Sequence, residues 1–297
     1  MKRKLRPGDV VFNIANYTIF GIFTLLCVIP FYYLFINTIS DNDLVRRGLI
    51  TLIPKGFHLN NYAQVFKLRG LAQAAFISIS RTIGGTALSV LASAFAGFLV
   101  TKRKMWGRKF WYRYIIVTMY FSAGLVPWYM NMVMLGLLNN FLAYIIPGMV
   151  APFSIILVKT YIESIPPSLE ESASMDGAGT VTVFARIILP LTMPILATIT
   201  IFAAVGHWNS FIDTLFLMTN EKLFTLQFVL WRYLNEANYL ASMMRSGATV
   251  AVDISHALTP RTIQMTISMV VVFPILCTYP FLQRFFIKGI MVGAIKG

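Results

Sequence analysis

Between Pro166 and Pro190 the chain reads PPSLEESASMDGAGTVTVFARIILP, a polar island set between two long apolar runs. Ser168 followed by Glu171 has the S-x-x-E spacing of a capping box, which predicts a short helix from Leu169. Gly177 is placed to stop it, because glycine enters the left-handed region without a Cβ penalty. Thr180 can cap a second short helix, which ends against Pro190. Taken alone, the island is an ordinary loop carrying two amphipathic turns. Its flanks change that reading.

The 297 residues are 57% hydrophobic and 12% charged, with a mean hydropathy of +0.71. Soluble domains carry about 25% charged residues, so the composition is that of an integral membrane protein. The net charge of +14 admits a nucleic-acid or a membrane reading. Lys and Arg lie between apolar runs rather than among exposed aromatics, which favours a lipid bilayer as partner and no nucleic acid. Cys27 and Cys277 both fall in apolar runs, so neither a structural disulfide nor a metal site is expected.

Working outward from the island, residues 191–218 form an apolar run whose only charge is Asp213, and residues 262–283 form another bounded by Arg261 and Arg284. Upstream, Tyr114–Val158 carries no charge. As one helix it would be roughly 68 Å long, about twice the hydrocarbon thickness. It must fold back, and Gly136-Leu-Leu-Asn-Asn140 is the natural turn. That gives spans over 111–135 and 141–161, with Pro127, Pro147 and Pro152 placed to kink or interrupt them. A span over 74–100 carries Gly85, Ser89, Ser93 and Gly97 on one stripe, which permits close backbone approach. Arg81, the only charge in that run, is expected to snorkel to the headgroups, a reading preferred to a substrate role. The first span covers 16–39, too long for a signal-peptide core, and reads as a retained anchor. A short interfacial helix is expected near residues 60–67.

Six spans put both termini on one side. That side collects Lys2, Arg3, Lys4, Arg6 and the six basic residues of 102–113, so by the positive-inside rule it is cytoplasmic, and the island with it. The fold expected is all-α, with six transmembrane helices. Its parts are residues 1–73 (first span and external loop), a core of 74–287, and a tail of 288–297. Catalytic signatures are missing: no Gly-x4-Gly-Lys-Ser/Thr loop, no His-Glu-x2-His and no Gly-x-Ser-x-Gly, with His58, His207 and His256 scattered. The chain is not expected to be an enzyme, and any energy from ATP must arrive through a partner.

The run Glu171-Ser-Ala-x3-Gly177-x9-Ile187-x-Leu189-Pro190 resembles the EAA loop of bacterial ATP-driven importers, EAA-x3-G-x9-I-x-LP. Ser172, where the family usually has alanine, is the one departure. The resemblance implies a type I importer fold in the bacterial cytoplasmic (inner) membrane, with no cofactor in this chain and with ATP and Mg bound by the partner. Implied partners are two copies of a cytoplasmic ATPase, a second homologous permease or a second copy of this chain, and an extracytoplasmic sugar-binding protein. In such a dock, Glu170, Glu171 and Asp176 offer acceptors, Ala173 and Gly177 leave room, and Met175, Ile187 and Leu189, ahead of Pro190, supply anchors. Glu171 has the competing local role of capping-box acceptor.

Further motifs, Gly124-Leu-Val-Pro-Trp-Tyr129, Leu135-Gly-Leu-Leu-Asn-Asn140, Ile146-Pro-Gly148, Trp208-Asn-Ser-Phe211 and the ending Lys288–Gly297, resemble the permeases of carbohydrate importers, in particular those for complex oligosaccharides. In maltose-type permeases the tail reaches between the ATPases, which makes Lys296 and Gly297 candidate contacts. For substrate, His207-Trp208-Asn209 offers an indole to stack on a sugar face and an amide for hydroxyls; helix packing with a structural hydrogen bond fits the same residues. Asp213 should face protein or a water-filled path. In the external segments Arg46, Arg47, Lys55, Lys67, Arg69, Lys222, Arg232, Arg245 and Arg261 outnumber the acids. A positive mouth favours acidic sugars, and the most specific resemblance is to the membrane subunits of bacterial alginate importers. The alternatives are the same machinery carrying peptides or amino acids, and an ion-coupled secondary transporter, which usually shows two related halves.

Overall fold

A computed structural model describes the backbone of residues 7–245 and 260–294, with side chains over 8–235 and 261–278. Every regular element among them is helical. They fall into two compact units, Met1–Leu68 with Arg232–Val272 and Arg69–Trp231 with Phe273–Gly297.

The first unit begins with α1, Pro7–Thr38. Proline is tolerated in a helix's first turn, where N–H groups have no partner anyway, so the helix starts earlier than the apolar run alone implies. Phe12, Ile19, Phe20, Phe23 and Leu26 are all exposed, an apolar surface suited to acyl chains rather than water. α2, Asn42–Arg46, is capped by the Asp41 carboxylate, which accepts from the Asp43 and Leu44 N–H groups at 3.0 and 3.2 Å. α3, Asn60–Phe66, forms where a short helix was expected. Its Asn61, fully buried, donates to the Thr38 carbonyl at 2.9 Å. Ile36, Val45 and Ile50 form the small core.

In the second unit, α4, Leu71–Leu99, is the spine. It is followed by α5 (Arg108–Tyr120), α6 (Leu125–Met134), a 3-10 turn at Phe141–Tyr144 and α7 (Pro152–Ile162). Then come α8 (Ser168–Met175), α9 (Thr180–Leu191), α10 (Met193–Asn209) and α11 (Ile212–Leu217). α12 (Leu226–Arg245) and α13 (Pro260–Ala294) complete the described chain, each divided between the two units, after Trp231 and after Val272. α10 and α7 pack against α4 most extensively. The small-residue stripe lies buried in these contacts. A Cβ on Gly97 would stand 2.9 Å from Val158 Cγ1 of α7, and one on Gly85 would stand 2.4 Å from the His207 ring of α10.

Several expectations are corrected. The spans over 111–135, 141–161 and 191–218 are not continuous helices. Phe121 is extended and Gly124 has φ +87°, which separates α5 from α6. Proline holds the residue before it out of the helical region, and Ala151, ahead of Pro152, has φ −109° and ψ 99°. α9 and α10 meet at 80°. At that corner the buried Thr192 hydroxyl donates to the Ile188 and Leu189 carbonyls at 2.9 and 3.0 Å. The turn at Gly136 forms as expected, with φ +67°. The capping box does not form, since the cap position is Pro167 and no side chain bonds there. Two prolines pre-set the first turn, and the Glu171 N–H already reaches the Pro167 carbonyl at 3.1 Å. Gly179, not Thr180, precedes the second helix, which runs through Pro190 to Leu191. Pro190 has no N–H for the Arg186 carbonyl, and the turn before it is a π segment, Phe184–Ile188.

Candidate functional site

Functional features gather at the two ends of α4. At one end, Ala94, Phe98, Val158, Ile162, Val183, Ile188, Leu196 and Ile199 form a core on which the 166–190 island is seated. α8 ends as expected. Gly177 has φ +82°, its N–H reaches the Ser174 carbonyl at 3.2 Å, and the Ala178 N–H reaches Ala173 at 2.9 Å. That pair of bonds is a Schellman stop. Met175 is 87% exposed, and Glu171 and Asp176 are also exposed, so these three stand free for a partner. Ala173, Ile187 and Leu189 are turned partly into the chain's own core. Glu170 is engaged internally, in an ion pair with Lys102, whose ammonium also lies 3.9 Å from the centre of the Phe98 ring. Pro190 is exposed. Lys296 and Gly297 lie outside the described residues.

Toward the other end stands a polar cluster. Arg81 is 2% exposed, so it does not snorkel. The nearest anion explains why. Its two terminal nitrogens grip the Asp213 carboxylate, and one of them also donates to the Ser210 carbonyl at 3.2 Å. The carboxylate accepts in turn from the Ser210 hydroxyl at 3.1 Å and the Thr214 N–H at 2.9 Å. The guanidinium lies 4.4 Å from the centre of the Tyr144 ring. The Tyr144 hydroxyl bonds Thr214 at 3.1 Å and donates to the Leu223 carbonyl at 2.7 Å. Asp213 is able to reach Arg81 because the backbone turns extended at Ser210 and α11 restarts in a new direction. Around it, Ile77, Met132, Leu137, Ala143, Tyr144, Leu217 and Met218 form a second core.

This cluster borders two adjoining hollows of about 380 and 840 Å³, which share Trp128, Ser210 and Asp213. The smaller is also lined by Arg81, Tyr144, Phe202 and His207. The expected substrate residues therefore part company. His207 and Asp213 reach the hollow, whereas Trp208 lines a separate apolar groove with Ile83 and Pro274, and Asn209 is exposed elsewhere. Trp128 is the indole that lines both hollows. Sequence reasoning missed Trp128, Tyr144 and the role of Arg81. One signal for Arg81 was present: it and Asp213 are lone, opposite charges in two apolar runs, and such groups pair. No group of His, Cys, Asp and Glu able to hold a metal occurs among the described residues.

A family model described as "binding-protein-dependent transport system inner membrane component" matches residues 2–292. Protein LplC of Bacillus subtilis is 32% identical over 97% of this chain and 95% of its own length. The polygalacturonan/rhamnogalacturonan transport system permease protein YtcP of the same organism is 30% identical over 97% and 99%. An arabinooligosaccharides transport system permease, AraQ of Halalkalibacterium halodurans, is 27% identical over the full length of both chains. Among solved structures, a chain of a bacterial ABC transporter that imports the acidic polysaccharide alginate superposes with a TM-score of 0.82, at 28% identity, covering 95% of this chain and 99% of that one.

Proposed function

The chain belongs to the binding-protein-dependent transport system inner membrane components, and from that premise we propose that it forms the path for an acidic, uronate-containing oligosaccharide. At the coarser level it is the permease subunit of an ABC importer of oligosaccharides, a membrane protein and not itself an enzyme. Family membership brings an ATPase and an external binding protein as partners. We assign to the ATPase two copies, docked through Glu171, Met175, Asp176 and Gly177, and to the membrane pair a second homologous permease or a second copy of this chain. The observation that carries the coupling reading is α8. It is a rigidly stopped helix whose acidic and apolar side chains stand exposed while its other face is seated on the core of α4.

Two considerations support the acidic substrate. The polygalacturonan permease and the alginate importer both handle uronate chains by name. Arg46, Arg47, Lys55, Lys67 and Arg69 are all exposed, a field that steers anions. Within the hollow, Asp213 already matches the Arg81 charge, so the lining there is left to read sugar faces, through Trp128 and Phe202.

Uptake of neutral and uronate oligosaccharides in a strain lacking this gene tests the substrate. Loss of neutral uptake with uronate uptake intact overturns the acidic assignment. Glu171→Lys, at normal expression, tests the dock: the ATPase should be lost on purification and substrate-stimulated ATP hydrolysis should fall. Full coupling in that variant removes Glu171 from the interface.

A further inference from the structure

At the end of α4 that carries the 166–190 loop, a hollow of about 650 Å³ opens between α5 and α7. Four cations line it: Arg103, Arg108, Lys109 and Lys159. Glu163 is the carboxylate that meets them, taking Lys159 at 2.8 Å and Arg108 at 3.7 Å. The Arg108 Nε–H also donates to the Val100 carbonyl at 2.8 Å, and the Lys159 ammonium lies 4.4 Å from the centre of the Tyr112 ring. Two of the cations are thus held in place by the fold. Arg103 and Lys109 are exposed, and neither is in an ion pair among the described residues. One carboxylate against four cations leaves a strong positive excess in a concave site.

The surroundings say what kind of anion belongs there. Trp106 is 86% exposed and Phe110 64%, and Phe110, Trp111 and Tyr114 lean on one another with ring centres 5.5–6.4 Å apart. Exposed aromatics clustered beside cations at the end of an apolar helix mark the headgroup level of a bilayer. Further along α5, Val117 and Tyr120 are exposed as well, a continuous surface for an acyl chain. A free phosphate in water would need neither the aromatic rim nor a hollow of this size.

We propose that this hollow binds the phosphate headgroup of an anionic phospholipid from the leaflet on the 166–190 side, with acyl chains along α5. Guanidinium and ammonium groups both suit phosphate oxygens, and basic pockets between membrane helices hold anionic headgroups. A bound headgroup would brace α5 against α7, close to Lys102 and the seat of α8. The proposal rests on the permease reading only for which leaflet is cytoplasmic.

The full-length protein, in nanodiscs of equal phosphatidylglycerol and phosphatidylcholine, is released and weighed by native mass spectrometry. Phosphatidylglycerol should be retained preferentially. Arg103→Gln/Lys109→Gln, which leaves the Glu163 pairs intact, should lower that preference by about five-fold per cation removed. Arg46→Gln/Arg47→Gln, exposed cations outside the hollow, should leave it unchanged. Equal retention of the two lipids overturns the proposal, as does an equal loss in both double variants, which would mean diffuse surface charge. Displacement of the lipid by inorganic phosphate would assign the hollow to a soluble anion instead. The readout needs no ATPase, so its failure is separable from failure of the coupling assignment.

Discussion

Arg81 of α4 and Asp213 of α11, 132 positions apart in the chain, meet in a two-pronged ion pair beneath the ring of Tyr144. The pair closes the polar cluster bordering the two hollows and fixes how α11 sits on the spine. A guanidinium fork matches both carboxylate oxygens at once, and the Ser210 hydroxyl and Thr214 N–H also donate to Oδ1.

Removing one partner strands a buried charge, at a cost of about 3–5 kcal/mol, whereas replacing both with apolar groups is often nearly neutral. Arg81→Met and Asp213→Asn should each lower the midpoint of thermal unfolding in detergent, and Arg81→Met/Asp213→Leu should recover most of it. Single variants no less stable than the double would show that the pair does not hold the fold together.

Gly85 lets α4 and α10 approach. Its Cβ would stand 2.4 Å from the His207 ring, which is also flanked by Gly148, whose own Cβ would lie 3.4 Å away. The imidazole also lines the smaller hollow, so relief of the clash requires the ring to turn toward that space or α10 to shift. Gly85→Ala should destabilise by about 1–3 kcal/mol through overpacking, and His207→Ala in the same chain should relieve it. Gly21→Ala, where a Cβ meets nothing within 4 Å, serves as the control. An unaltered melting curve for Gly85→Ala would mean that α10 moves aside freely.

The stripe that places Gly85 and Gly97 at helix contacts was legible in the sequence, as were the α8 stop at Gly177, the turn at Gly136 and the all-helical class. These rest on local rules: glycine's access to positive φ, and a four-residue period that keeps small side chains on one face. The capping box was misread because two local rules competed, and the preset φ of Pro167 won over the Ser168 side chain. Continuous spans were misread because hydropathy records how long a segment lies in lipid and is blind to whether its backbone stays helical. Phe121–Gly124 and Ser210 are apolar or small, and only neighbouring helices make a break there tolerable. Long-range pairing was the least legible. Nothing near Trp128 or Trp208 reveals which indole faces the hollow, since that depends on rotation of α10 against α4.

That rotation gives the next test. Trp128 and Phe202 line the hollow, while Trp208 lines the apolar groove. Trp128→Ala should raise the substrate concentration for half-maximal uptake by about 2- to 10-fold, the scale of one lost aromatic stacking contact. Trp208→Ala should leave that concentration unchanged while lowering stability, since it removes packing. The reverse pattern would assign the sugar contact to the 207–209 cluster and not to Trp128.

Lys102 offers a way to separate docking from transmission. It lies just past the end of α4, after Val100 and Thr101, and holds Glu170 of α8, while its ammonium sits on the Phe98 ring. A force applied to α8 therefore has two routes into the spine: apolar packing through Ala173 and Ala178, and this ion pair. Both charged side chains are partly shielded, at 22% and 28% exposure, so the pair is worth about 1 kcal/mol and weakens in salt. Lys102→Met should leave the ATPase bound, because the proposed contacts Glu171 and Met175 are untouched, yet raise the ATP hydrolysed per oligosaccharide imported. Lys102→Glu and Glu170→Lys should each do the same or worse, and the charge-reversed double variant should restore part of the ratio. If Lys102→Met transports with unchanged stoichiometry, or the double variant is no better than its parents, movement reaches α4 through the apolar seat alone.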